Sequence, residues 1–395
     1  MKKKLLVLNG SHSDIPLIQA GKDLGYYVIT TGNNPSLIGH QYSDEYICAD
    51  FSNYELIASI AQEKQIDAVC ACANDFGAIT ASYVAEKLGL PGHDSFETTL
   101  TLHHKDKFKE LSKKHHLRTP EAEGFDNEEA ALAYAMTLDF PVMVKPIDLT
   151  GGKGITKAVT AEEKKAAIHK AMDMSPGKRI VIERFIEGTY HSFSTFLVNK
   201  KVTYTFSDNE YFSGDPLCCI ISAGPADKID HTRQILIEEC EKLAEILDLV
   251  DGRLHLQYVM DAEGNPYVLE YTRRMSGDLY SYPVCRALGF YTPEWIVRAE
   301  CGLDCSGCPK DVPQTGFVGR YCLRAEKDGF IKSYAIDPEL EQYLYDRVIW
   351  WSPELEITNY KAQRFGVIFF DFPTREKMLE TVSHISDFIS IEYAD

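Results

Sequence analysis

At Glu270, Thr272 and Arg274 a carboxylate, a hydroxyl and a guanidinium recur at every second residue, so a strand here presents all three on one face. The stretch is the return half of a hairpin. Leu254 to Met260 runs in, Asp261-Ala262-Glu263-Gly264-Asn265 turns, and Pro266 to Tyr271 runs back. Gln257 on the first strand then lies across from Glu270. Such a face suits Mg²⁺ and a reacting phosphate, but a half-exposed hairpin with a polar face has the same pattern, and what lies upstream decides between them.

Upstream, the apolar run Phe140-Pro141-Val142-Met143-Val144 leads into Lys145-Pro146, and Thr150-Gly151-Gly152-Lys153-Gly154-Ile155 follows. Glycines let backbone N–H groups approach phosphate oxygens, and lysines offset their charge. The loop matches neither the Walker spacing nor a dinucleotide fingerprint, and a plain β-turn has the same composition. Further on, Arg179 to Glu183 reads as a buried strand, continuing through Arg184-Phe185-Ile186-Glu187 and breaking at Gly188.

In this order the pieces resemble the ATP-grasp ligases, and the resemblance covers nearly the whole chain. It rests on Lys105-Asp106-Lys107, Lys145, the glycine loop, Glu183-Arg184-Phe185-Ile186, and the hairpin ending in Glu270, Thr272 and Arg274. It implies an α/β chain with the ATP-grasp fold, preceded by a Rossmann-like domain and followed by a small α+β lobe. It further implies that Lys107 and Lys145 contact ATP phosphates under Gly151, Gly152 and Gly154, and that Glu183, Arg184, Phe185 and Ile186 hold adenine. His191 falls at the ribose. Gln257, Glu270 and Thr272 become ligands for Mg²⁺ (or Mn²⁺), and Arg274 and Lys153 act on the transferring phosphate. Two positions depart from the common pattern: Gln257 stands where an acid is usual, as in carbamoyl-phosphate synthetases, and Thr272 where asparagine is usual. Both are neutral oxygen donors, which leaves Glu270 as the one protein carboxylate on the metal.

Strand and helix alternate through Leu5 to Leu8, Ile15 to Leu24, Tyr27 to Thr31, Ile57 to Glu63 and Asp67 to Cys72, a pattern of open parallel sheets. The reading divides the chain into residues 1–94, a nucleotide-type domain 95–300 with a mobile part at about 119–188, and a lobe at 314–395. The last contains strands at Gly316 to Leu323 and Phe365 to Phe370 and a helix at Arg375 to Phe388. Asn74-Asp75 sits where an open sheet binds ligands, and equally where a helix is capped. His103-His104 and His115-His116 read as solvent-facing pairs, and Asp208-Asn209-Glu210-Tyr211-Phe212 with Asp215 either faces the substrate or, the preferred reading, is a plain polar loop.

A net charge of −18 on 395 residues argues against nucleic acid, which needs clustered cations. The first apolar run is too short for an export signal, and no run reaches the roughly 20 apolar residues of a membrane span, so a cytoplasmic protein is expected. The eleven cysteines then read as reduced, packed thiols. Cys301, Cys305 and Cys308 copy a cluster-binding spacing, but Gly302, Gly307 and Pro309 mark an ordinary connection.

The resemblance implies an ADP-forming ligase that turns a carboxylate into an acyl-phosphate for attack by an amine, both small molecules, in a homodimer. Met275-Ser276-Gly277-Asp278-Leu279 after Arg274 resembles the acceptor loop of ligases that join amino acids. Gln257 and His191 lean instead toward a bicarbonate-using, carboxylating or carbamoylating relative. An ATP sensor without turnover is the third reading.

Overall fold

A computed structural model describes residues 2–149, 152–214 and 218–394. Four short strands, β1 (Lys4–Val7), β2 (Tyr27–Gly32), β3 (Glu45–Cys48) and β4 (Ala68–Cys70), pair in parallel in the order β3-β2-β1-β4. They carry little polar alternation because both faces are covered, Leu6 and Val69 packing on one side and Leu5 and Val7 on the other. The covering helices are α1 (Ile15–Asp23), α2 (Tyr54–Lys64) and α3 (Asp75–Leu88). Asn74 caps α3, its side chain accepting from the Phe76 N–H, so Asp75 is left as the first helical residue with its carboxylate free for other work.

Helices α4 (Phe96–His103) and α5 (Lys105–His115) lead to a second sheet of β5 (Ala122–Phe125), β6 (Val142–Pro146), β7 (Thr156–Ala158) and β8 (Ile180–Arg184), antiparallel in the order β5-β8-β6-β7. Helices α6 (Glu128–Met136) and α7 (Ala161–Met174) back it. Val142, Val144, Ile180 and Ile182 pack toward those helices. Strand alternation therefore turns Lys145 and Glu183 to the opposite face.

The third sheet runs through most of the remaining chain. Its first strands are β9 (Thr189–Val198), β10 (Lys201–Ser213) and β11 (Cys218–Ala223), followed by α8 (Ile229–Ile246), β12 (Gly252–Met260), β13 (Pro266–Thr272), α9 (Ser281–Leu288) and α10 (Thr292–Glu300). Then come β14 (Phe317–Arg324), β15 (Gly329–Ile336), α11 (Pro338–Glu341), β16 (Leu344–Ile349), β17 (Glu356–Ile357), β18 (Arg364–Phe372), α12 (Arg375–Val382) and β19 (Ile389–Tyr393). Eight of these strands form one sheet in the order β13-β12-β9-β10-β11-β14-β18-β16, while β17, β15 and β19 form a small sheet of their own. The helix expected from Arg375 to Phe388 ends at Val382, and Ile385–Phe388 is a separate 3₁₀ turn.

The expected hairpin is present, with Gln257 paired to Glu270 and His255 to Thr272. Residues 314–395 are more tightly joined to the centre than a separate lobe would be. β14 adds directly to β11 through Ile221 with Tyr321, Ser222 with Arg320 and Ala223 with Gly319. That seam leaves no room for a side chain at Gly319, where a Cβ would lie 2.1 Å from the Ser222 carbonyl oxygen and 2.5 Å from the Phe370 ring. No helix among the described residues is long and apolar enough to cross a membrane.

Gly319→Ala should therefore lower stability by about 1–3 kcal/mol through overpacking at the seam. Urea unfolding followed by tryptophan fluorescence reads this, and an unchanged midpoint would mean that β11 and β14 do not pack as described.

Candidate active site

A cavity of about 360 Å³ lies between the antiparallel β5-β8-β6-β7 sheet and the eight-stranded sheet, with α3 and α5 alongside. Its walls come from α3, α5, β6, β8 and the polar face of the eight-stranded sheet, so residues far apart in sequence share it. At one end Glu183 is 2% exposed and holds two ammonium groups, Lys145 Nζ at 2.7 Å and Lys109 Nζ at 2.8 Å. Burial alone would raise the Glu183 carboxyl. Lys109 and Lys145 outweigh it and hold the group below the usual carboxylate range. Lys105 reaches the same cavity and donates to the Leu149 carbonyl at 3.2 Å.

The structure places Lys107 away from this group. Lys107 turns outward to Glu97, at 2.9 Å, and does not line the cavity. Residues 105 and 109 are four apart on α5 and share a face, whereas 107 lies about 200° round from 105. The helical period was the signal that picks Lys105 and Lys109 instead. Glu183 lines the cavity with its carboxylate between the two lysines. Arg184, Phe185 and Ile186, just beyond β8, do line the cavity. Lys157 stands over the Phe185 ring at 3.7 Å, and Arg184 over Phe140 at 4.7 Å.

In the glycine loop, Gly152 lines the cavity, while Lys153 is exposed and Gly154 sits behind the wall. Gly154 has φ +76°, and a Cβ there would meet Pro146 at 2.7 Å. Gly151 lies outside the described residues. His191 is displaced from its expected role: on β9, Tyr190 faces the cavity, so His191 faces the α8 side with Phe193. It is 1% exposed, bonds Thr189 at 2.6 Å and stacks on Tyr258, and burial pushes its imidazole down to about 4.

On the hairpin, Gln257, Glu270 and Thr272 all line the cavity. Gln257 donates from Nε2 to Glu210 at 2.6 Å, which leaves its amide oxygen to accept or ligate, and among the described residues Thr272 Oγ1 is buried without a partner. Among the described residues no three His, Cys, Asp and Glu side chains gather as a metal cage. One carboxylate with two neutral oxygens instead fits Mg²⁺ held mainly by substrate phosphates.

Arg274, just past β13, is fixed by Asp75 of the first domain, Nε to Oδ1 at 2.7 Å. His103 approaches the same oxygen at 3.2 Å with its side chain 1% exposed, and so is not the solvent-facing residue expected from sequence. Burial raises the Asp75 carboxyl, but Arg274 and His103 outweigh it and hold the group well below the usual range.

The other end was missed in the sequence. Asp208 and Glu210, read as part of a polar loop, are buried in β10. Burial is the main cause that lifts Asp208 to about 6 and Glu210 to about 8. Asp208 bonds Ser192, which bonds Tyr280 at 2.6 Å. Asp215 lies outside the described residues. The loop after Arg274 carries Asp278, whose N–H donates to Ser13 Oγ at 2.8 Å and whose carboxylate lies 3.2 Å from Arg364 and 3.7 Å from Arg320. The regular step of Tyr204, Phe206, Asp208 and Glu210 was the available signal for a strand. The cysteines are free thiols, with Cys301 in one apolar cluster and Cys305 and Cys308 in another.

Residues 104–280 match the family model for the ATP-binding domain of the carbamoyl-phosphate synthase L chain. The chain is 24% identical over 273 residues to the carbamoyl phosphate synthase large chain, C-terminal section, of Methanopyrus kandleri, covering 66% of this chain and 49% of that one. It is 27% identical over 255 residues to phosphoribosylamine–glycine ligase of Escherichia coli O157:H7, covering 56% and 59%. The chain thus spans about half the length of these curated relatives. Among solved structures, the L-amino acid ligase from Bacillus licheniformis superposes with a TM-score of 0.84 at 19% identity, with all of both chains covered. At that identity the likeness establishes a shared fold.

Asp75→Asn should cost about 3 kcal/mol at pH 7, because it leaves the Arg274 guanidinium buried without its anion. A depressed carboxyl stabilises the native state above its unfolded value near 4 and loses that effect as pH falls, by about 1.4 kcal/mol per pH unit. Urea unfolding between pH 4 and 2 should therefore show a shallower acid loss in the variant. Parallel curves would mean that Asp75 is not held ionised by Arg274.

Proposed function

We propose, from the premise that this chain belongs to the ATP-grasp superfamily, that it is an ADP-forming ligase joining a small carboxylic acid to a small amine. The observation that carries this reading is the shared cavity itself. It brings Lys109 and Lys145, the oxygen-rich hairpin and Arg274 together at one end and a buried acid–arginine cluster at the other.

A carboxylate does not react with an amine at neutral pH because its oxygen is a poor leaving group; as an acyl-phosphate it releases phosphate. ATP would lie with its base against Arg184, Phe185 and Ile186, under Gly152 and the neighbouring Gly151, Lys153 and Gly154. Its phosphates would meet Lys109 and Lys145. Glu183 prealigns both ammonium groups, so little reorganisation is needed when the charge arrives. Gln257, Glu270 and Thr272 would hold Mg²⁺ or Mn²⁺, which when bound offsets charge on the phosphates. Arg274, held by Asp75, would steady the transferring phosphoryl group through a guanidinium fork that lysine cannot copy.

The bicarbonate-using alternative is supported by Gln257, the neutral hairpin ligand, and by the resemblance to carbamoyl-phosphate synthase. The buried Asp208, Glu210, Arg320 and Arg364 favour a larger polar substrate. A cytoplasmic homodimer remains part of this proposal.

ADP release from ATP and Mg²⁺ across amino acids offered singly and in pairs, and then with bicarbonate, is the test. Release that needs both an acid and an amine is expected. Release with bicarbonate alone would move the assignment to the carboxylating branch, AMP would contradict the acyl-phosphate route, and tight ATP binding without release would indicate a sensor. Lys145→Ala should raise the Kd for ATP at least tenfold, equivalent to about 1.4 kcal/mol. Arg274→Ala should lower kcat by about 100-fold or more while leaving much of the ATP binding. Full turnover in Arg274→Ala would remove the role given to that residue.

A further inference from the structure

Carboxyl and guanidinium groups line the same part of the cavity without pairing with each other. The strand register pairs Glu210 with Ser222 on β11, and Ser222 with Arg320 on β14. Glu210 and Arg320 therefore project from the same face two strands apart, about 10 Å between backbones. Among the described residues they make no ion pair with each other; the acid near Arg320 is Asp278, which Arg364 also approaches. One carboxylate serving two guanidiniums leaves a deficit of anion. Among the described residues Arg320 Nε and Arg364 Nε are buried without hydrogen-bond partners, and Arg320 is only 5% exposed.

The acids have the reverse deficit. Asp208 is held by the Ser192 hydroxyl and Glu210 by the Gln257 amide, both neutral groups, and among the described residues Asp208 Oδ2 is buried without a partner. We propose that this part of the cavity binds a small zwitterion, an α-amino acid, with its ammonium on Glu210, behind which Asp208 is buried, and its carboxylate on Arg320 and Arg364. From nitrogen to carboxylate such a molecule spans about 3 Å, so the two long side chains close the rest of the gap. A plain amine or a plain acid meets only one side and leaves the other charges buried and unpaired. Bicarbonate, with no cationic group, leaves Glu210 unmet. The inference rests on the ligase reading and deepens it: the amino acid is one of the two molecules joined.

Titration calorimetry on the full chain saturated with a non-hydrolysable ATP analogue and Mg²⁺ tests this. The probes are the twenty common amino acids and, for each one that binds, its decarboxylated amine and its deaminated acid. At least one amino acid should bind, with both counterparts weaker by about tenfold or more. Arg364→Gln, at a more accessible position than Arg320, should narrow the gap between the amino acid and its amine. No binding by any amino acid, or equal binding by the counterparts, would overturn the proposal. ADP release in the same panel separates the two claims. Zwitterion-dependent binding without ADP would sink the ligase reading and keep the subsite, whereas ADP formed with bicarbonate and no amino-acid binding would sink the subsite and keep ATP turnover.

Discussion

Charge cannot be buried singly, and that constraint arranges this molecule. A buried ammonium, guanidinium or carboxylate is retained only where an opposite charge or hydrogen bond compensates the water it has lost. Glu183 of β8 compensates Lys109 of α5 and Lys145 of β6. Asp75 of α3 compensates Arg274 beyond β13. Asp278 serves Arg320 of β14 and Arg364 of β18. Each pair joins segments that belong to different parts of the chain, so the charges that equip the cavity also fasten its walls together. Elsewhere Arg273 and Asp94, 2.8 Å apart and nearly buried, fasten the first domain to the hairpin in the same way.

The division of the cavity follows from where those charges lie on the eight-stranded sheet. The hairpin at one edge carries oxygen donors with one carboxylate, while the strands from β10 to β18 carry acids and arginines that are only partly matched. Local segments hold this division in place. Asp278 and Leu279 both adopt φ +53°, a left-handed turn that carries the loop from the hairpin back over the sheet. His12, stacked on Trp350 at 4.2 Å, and the Ser13 hydroxyl brace that turn from the first domain.

What was legible in the sequence is what depends on short-range periodicity. The parallel sheet, the hairpin register of Gln257 with Glu270, and the lysine-ended strand at Lys145 all follow from alternation and turn chemistry. Lys107 was misplaced because two lysines stand near each other in Lys105-Asp106-Lys107 and the family pattern was laid on the wrong helix face. His191 was misplaced by one position, which in a strand exchanges the cavity for the core. Asp208 and Glu210 escaped because the groups that hydrogen-bond them, Ser192 and Gln257, with Tyr280 beyond Ser192, lie in other segments of the chain. The joining of β14 to β11 escaped for the same reason: strand pairing at that separation leaves no local trace.

A crystal structure of the chain with a non-hydrolysable ATP analogue and Mg²⁺ most directly tests the account that one cavity serves both nucleotide and substrates. The account predicts the base beside Arg184 to Ile186, the phosphates on Lys109 and Lys145, the metal against Glu270, and open space between the γ-phosphate and Arg320. A nucleotide bound elsewhere, or one whose phosphates lie on Arg320 and Arg364, would contradict it.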